Sequence, residues 1–180
     1  MRKKRGSFLV FLVVVLLALV GGSLESGAQI NLLDKKYDRS WGDYTWGAYG
    51  GNREASRLGR EELVARENYC PSSGCVLRLD KVQVLPLQCR RGECITMVAT
   101  YSILTPEQIA IPVSIVREVL FRGKSLGRTK TIETRQLNGT WSQEVDFTLP
   151  PNALPGTYTV NTRVSTGYAM EQKSAEFQVY

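Results

Sequence analysis

From Val76 to the last residue, apolar and polar side chains alternate with a period of two between short breaks. In Ile95–Ile103 the positions Ile95, Met97, Ala99, Tyr101 and Ile103 are apolar, and Thr96, Thr100 and Ser102 stand mostly opposite. Trp141, Val145, Phe147 and Leu149 repeat the pattern against Ser142, Glu144, Asp146 and Thr148. Tyr158, Val160 and Val164 do so again, and Ala175, Phe177 and Val179 follow near the end. Ile111–Phe121 is apolar on both faces around Arg117 and Glu118, the pattern of a central strand. The breaks carry turn chemistry. Arg122-Gly123-Lys124-Ser125 can turn a hairpin, Asn138-Gly139 predicts a two-residue hairpin, and Pro150–Gly156 is too proline-rich for a strand. About seven strands are predicted, roughly over 76–87, 95–104, 111–121, 126–135, 140–149, 157–165 and 171–180. Short, evenly spaced strands without intervening helices predict an all-β, two-sheet antiparallel sandwich.

Upstream the pattern fades. Asn52–Glu67 predicts a short helix, with Asn52 as cap, Glu54 in the first turn and Gly59 weakening the middle. Before it, Trp41, Tyr44, Trp46 and Tyr49 are interleaved with glycines, which argues against a helix or a central strand. These rings are candidates for stacking on a sugar or a partner surface, or for packing onto the domain behind them. The first residues read as a secretory leader. Arg2, Lys3, Lys4 and Arg5 precede the apolar run Phe8–Val20, and Ser26-Gly27-Ala28 places cleavage after Ala28. An uncut leader would be an anchor, although the run is shorter than the ~20 residues of a comfortable span. The organisation expected is a leader over 1–28, an aromatic segment plus helix over 29–69, and a β-domain over 70–180.

Residues 149–160, Leu-Pro-Pro-Asn-Ala-Leu-Pro-Gly-Thr-Tyr-Thr-Val, carry a resemblance. A loop ending in Pro-Gly-Thr-Tyr before an alternating strand is similar to the penultimate strand of the immunoglobulin-like superfamily, in its bacterial, fibronectin type III or macroglobulin-like variants. The resemblance covers residues 76–180 and implies a seven-stranded sandwich with Tyr158 as a corner tyrosine. It implies no particular function. The inter-sheet cysteine pair of antibody domains has no counterpart.

Charge and composition narrow the chemistry. The net charge of +6 is largely the leader's; residues 29–180 hold 19 basic and 16 acidic side chains, which gives no case for nucleic-acid binding. The chain has no histidine, which removes the commonest general base and histidine-dependent triads. Glu144 and Asp146 share one strand face and are the plainest carboxylate pair, but that face is polar and solvated. Arg90 and Arg91 in one loop, with Lys124 and Arg128 near another, suit an anionic partner such as a lipid headgroup, a glycan or an acidic protein, or are charged because loops are wet.

All four cysteines, Cys70, Cys75, Cys89 and Cys94, form two pairs with 13 residues between them. In an exported protein an even count predicts disulfides. Local bridges, Cys70–Cys75 and Cys89–Cys94, are the leading expectation; crossed bridges are the alternative. One zinc on all four is the rival, but a strand over 76–88 would hold the pairs about 40 Å apart. The phase shift at Asp80-Lys81 is what a β-bulge produces. The expectation is therefore an exported, periplasmic or secreted bacterial protein, non-enzymatic and without cofactor. It would bind or assemble with a protein or envelope glycan, away from the membrane once the leader is cut. A zinc-binding envelope protein is the alternative, and a carboxylate-dependent hydrolase the third reading.

Overall fold

In the computed structural model the described residues are 49–129 and 131–180. They form ten strands, one α-helix and a short 3₁₀ turn at Pro71–Ser73. The order is β1 (Tyr49–Leu58), α1 (Arg60–Glu67), β2 (Val76–Leu85), β3 (Gln88–Cys89), β4 (Cys94–Leu104), β5 (Ile111–Phe121), β6 (Lys124–Arg128), β7 (Ile132–Gln136), β8 (Gly139–Thr148), β9 (Gly156–Thr166) and β10 (Met170–Val179). Two sheets result. The first runs β1-β8-β4-β2; the second runs β3-β10-β9-β5-β6, with β7 also on β5. Every pairing is antiparallel except β3 with β10.

The alternating runs become strands because each buries one face and solvates the other. Ten strands replace the expected seven for three local reasons. The run 126–135 breaks into β6 and β7, which pair with successive stretches of β5. The chain leaves β2 through the cis Leu85–Pro86 bond and adds two residues, β3, to the other sheet. The third reason is β1. The sequence predicts a helix over 52–67, but residues 49–58 are an edge strand on β8 and the helix begins only after Gly59. Along β1, Asn52, Glu54 and Ser56 alternate with Arg53, Ala55 and Arg57. With no apolar stripe, period two is invisible in the sequence. The domain thus starts well before residue 70.

Apolar residues of both sheets share two clusters, one toward each end of the strands. One joins Val84, Cys89, Ile95, Phe147, Phe121, Tyr158 and Phe177; the other joins Leu79, Tyr101, Ile103, Val113, Ile115 and Val164. The expected bulge is present, since the β2–β4 register shifts between Leu79 and Lys81. The Arg122-Gly123 hairpin also forms, with both residues at positive φ, 51° and 75°.

Asn138-Gly139 is not a hairpin. It carries the chain from β7 in one sheet to β8 in the other. Asn138 is buried, and its amide bonds Thr105 on the β4–β5 connection instead of facing water.

Candidate functional site

The outer faces of the two sheets differ. On the first sheet, α1 lies over β4 and β8 and inserts Leu63, which is fully buried. Half-exposed ion pairs run across part of the rest of that face. Arg66 reaches Glu67 and Ser102, Arg78 pairs with Glu67 and Asp80, and Ser102 links Asp80 to Thr140. Farther along, Arg53 grips both oxygens of Asp146 at 2.7 and 3.0 Å and touches Glu144, while Arg57 approaches Glu144.

Those contacts bear on the carboxylate pair. Hydrogen bonds from Arg53 and then Thr96 hold the Asp146 carboxyl below its ordinary pKa. The Arg53–Asp146 contact ties β1 to β8. Its acid dependence follows. The folded pKa lies below the unfolded value, so the stabilisation is complete above about 4. It is lost as pH falls through the lower folded value. Urea midpoints of wild type and Arg53→Ala should differ at pH 6 and converge toward pH 2; parallel profiles would remove Asp146 from this role.

The outer face of the second sheet is polar and open. Two side-chain rows run across it. Arg128, Glu118, Asn161 and Ser174 form one, and Val116, Arg163 and Gln172 the next. All of these but Ser174 line a shallow depression of about 40 Å³. Ser125 donates to Glu118 at 2.6 Å, Arg128 stands 3.6 Å from the same carboxylate, and Ser174 donates to Asn161. Arg163, Gln172 and Ser174 are exposed. The sequence missed this face because its residues lie in four different strands.

The sites expected from the sequence fall elsewhere. Trp41, Tyr44 and Trp46 lie outside the described residues. Tyr49 opens β1 opposite Phe147. No disulfide joins the four cysteines among the described residues. Cys89 and Cys94 lie in different sheets. Cys89 faces the core, its thiol 3.6 Å from the Gln178 carbonyl, whereas exposed Cys94 starts β4 one residue before inward-facing Ile95. Cys70 instead engages the Ser72 hydroxyl at 3.1 Å. The two pairs flank the ten-residue β2, so one ion cannot join all four. No group of three or more metal-binding side chains comes together among the described residues.

The thiols should react unequally. The Ser72 hydrogen bond holds the Cys70 pKa below the ordinary thiol value, and burial pushes that of Cys89 up. A disulfide reagent at pH 7.5 should titrate Cys70, Cys75 and Cys94 in the folded protein, Cys70 fastest, and Cys89 only in denaturant. Four unreactive cysteines in the non-reduced protein would restore the bridges.

Tyr158 sits at the start of β9, stacked between Phe121 and Phe177 at ring distances of 4.7 and 5.3 Å. Its hydroxyl donates to the Leu154 carbonyl, four residues upstream, at 2.8 Å.

No protein-family model matches the chain, and no relative among characterised proteins does. Solved structures show local likeness only. The alkylpurine DNA glycosylase AlkC of Pseudomonas fluorescens, bound to DNA containing an abasic site analog, is 14% identical with a TM-score of 0.42; the match covers 57% of this chain and 30% of that one. A β-glucosidase from Listeria innocua is 14% identical at 0.39, over 58% of this chain and 16% of the enzyme. The CARDB domain of the PF1109 protein from Pyrococcus furiosus, solved with di-metal ions, is 18% identical at 0.36, over 59% of this chain and 87% of that domain. This chain therefore spans less than a third of the glycosylase and of the glucosidase.

Proposed function

We propose that the chain is an exported, non-enzymatic binding module of the cell envelope, built on an immunoglobulin-like β-sandwich. Strand order supports the fold. The sequence β1-β8-β4-β2 reads as D-E-B-A, and β10-β9-β5 as G-F-C, with β6 and β7 beyond C. In that reading β1 enters from the N-terminal side to fill the D position beside E. Tyr158, at the start of F with its hydroxyl on Leu154, has the geometry of a tyrosine corner. Export rests on the basic and apolar pattern of residues 2–28, not on the cysteines.

The observation that carries the binding reading is the asymmetry of the outer faces. One carries α1 across β4 and β8; the other has no helix on it and leaves Glu118, Arg128, Asn161, Arg163 and Gln172 at the surface across four paired strands. A protein or glycan surface is the occupant such a flat polar face suits. The test is in-host cross-linking followed by mass spectrometry, comparing wild type with Asn161→Lys/Gln172→Lys. A partner captured by wild type and lost by the folded variant supports the reading; the same partner captured by both overturns it. Export is read separately, by alkaline phosphatase fused after residue 48. Activity in intact cells is expected, and an inactive, stable fusion overturns the export reading.

A further inference from the structure

The fold gathers basic and apolar loop tips at one end of the domain. Tyr49 pairs with Phe147, and Phe147 with Ile95, so β1 begins at the end where β4 starts and β8 finishes. The Leu149 amide donates to Glu93 at 2.9 Å, and the Tyr180 amide to Cys89 at 3.1 Å. The same end holds the 86–93 connection, the Arg122-Gly123 turn, the 149–155 loop and Tyr180. Arg90 lies 5.9 Å from the centre of the Tyr180 ring, and Arg122 lies 4.9 Å from that of Phe121. Burial raises the Tyr158 pKa, and Arg91 stands close enough to oppose it.

Charge and exposure there are one-sided. Arg90, Arg91, Arg122 and Lys124 are all exposed. The acidic residue among these loops, Glu93, accepts the Arg90 backbone amide within its own turn. Leu87 is 63% exposed, Leu154 59%, Tyr180 58% and Leu85 46%. The opposite end also exposes Ile109, Leu137, Tyr168 and Met170. Its charges differ, however. Glu107 and Glu171 stand beside those side chains in the sequence, and Arg60 and Arg135 are tied to backbone carbonyls. Only the first end is where the chain arrives from residues 1–48, which include the apolar run Phe8–Val20.

We propose that this end docks on the surface of an anionic bilayer, with Arg90, Arg91 and Arg122 at the headgroups and Leu87, Leu154 and Tyr180 in the interfacial layer. No helix among the described residues is long and apolar enough to cross a membrane. The sequence offers Arg90, Arg91 and Lys124 to an anionic partner, and the fold adds Arg122, Leu87, Leu154 and Tyr180 at the same end. It is separate from the open polar sheet face, and either can fail without the other.

The test places an environment-sensitive fluorophore on Leu154→Cys in the full chain, with Cys70, Cys75 and Cys94 replaced by serine. The chain is bound to vesicles of phosphatidylcholine, with or without about a third phosphatidylglycerol, and binding is verified by flotation. The probe should shift to the blue on anionic vesicles alone and return in 0.5 M salt. Arg90→Ala/Arg91→Ala/Arg122→Ala should weaken the titrated response on the order of 100-fold, about fivefold per arginine. The matching triple lysine variant should retain it, and a probe on Met170→Cys should stay water-like. An unshifted Leu154→Cys probe on vesicle-bound protein would overturn the proposal, as would a shift surviving in the folded triple alanine variant. A shift induced by monomeric dihexanoyl phosphatidylglycerol would also overturn it, by making the site a headgroup pocket.

Discussion

Replacing Gln143 with leucine should lower the unfolding free energy by about 3 kcal/mol, a larger loss than its modest side chain suggests. Arg117 is 1% exposed, inside the domain. Its guanidinium donates to the Gln143 side-chain carbonyl and, at 3.3 Å, to the Gln143 backbone carbonyl. Gln143 then passes the contact on, its amide donating to Asn52 of β1. A cation out of water is tolerated only while acceptors face it, and leucine removes the side-chain acceptor while the charge stays buried. Arg117→Met removes the charge itself and should cost less. The double variant, with an apolar pair in place of the network, should cost at least about 1 kcal/mol less than the sum of the single losses. Urea unfolding of the three variants decides it; strict additivity would mean that Gln143 does not solvate Arg117.

The same residues show what the sequence could carry. Arg117 interrupts an apolar run, and its neighbours suffice to place it in a central strand; β5 is indeed paired on both sides. Which polar group meets it cannot be read from the chain, because Gln143 belongs to the other sheet. The alternating runs from Val76 onward were legible since burial on one face imposes period two. β1 was not, because it is an edge strand held by backbone pairing and by Arg53, and neither leaves an apolar trace. Asn138-Gly139 misled for a related reason. The dipeptide reports local backbone freedom, and the structure uses it for a crossing between sheets. The cysteine spacing likewise reports proximity along the chain, while Cys89 and Cys94 lie in different sheets. The open sheet face and the basic end are products of topology, assembled from residues that no window of sequence contains together.

Asn138→Ala should cost about 3 kcal/mol as well, for a different reason. The Asn138 carbonyl oxygen accepts from the Thr105 amide at 3.1 Å and from its hydroxyl at 2.8 Å; the amide nitrogen donates to the carbonyls of Thr105 and Glu107 at 3.0 and 3.3 Å. One side chain thereby fastens the β4–β5 connection to the crossing between β7 and β8. Alanine leaves the Thr105 amide without its acceptor, and Thr105 is buried, so water replaces the bond poorly. Asn138→Asp separates geometry from polarity. It keeps the acceptor toward Thr105 but turns an acceptor toward two carbonyls and buries a charge. At pH 7 it should be at least as destabilising as alanine. Burial raises the pKa of such a carboxyl in the folded state, so its penalty is present at neutral pH and shrinks as pH falls through that raised value. Protonation then supplies a donor to one of the two carbonyls. Urea midpoints of Asn138→Asp should approach wild type between pH 7 and pH 4, while those of Asn138→Ala stay displaced. An Asn138→Asp variant as stable as wild type at pH 7 would show that the two carbonyls do not depend on the amide.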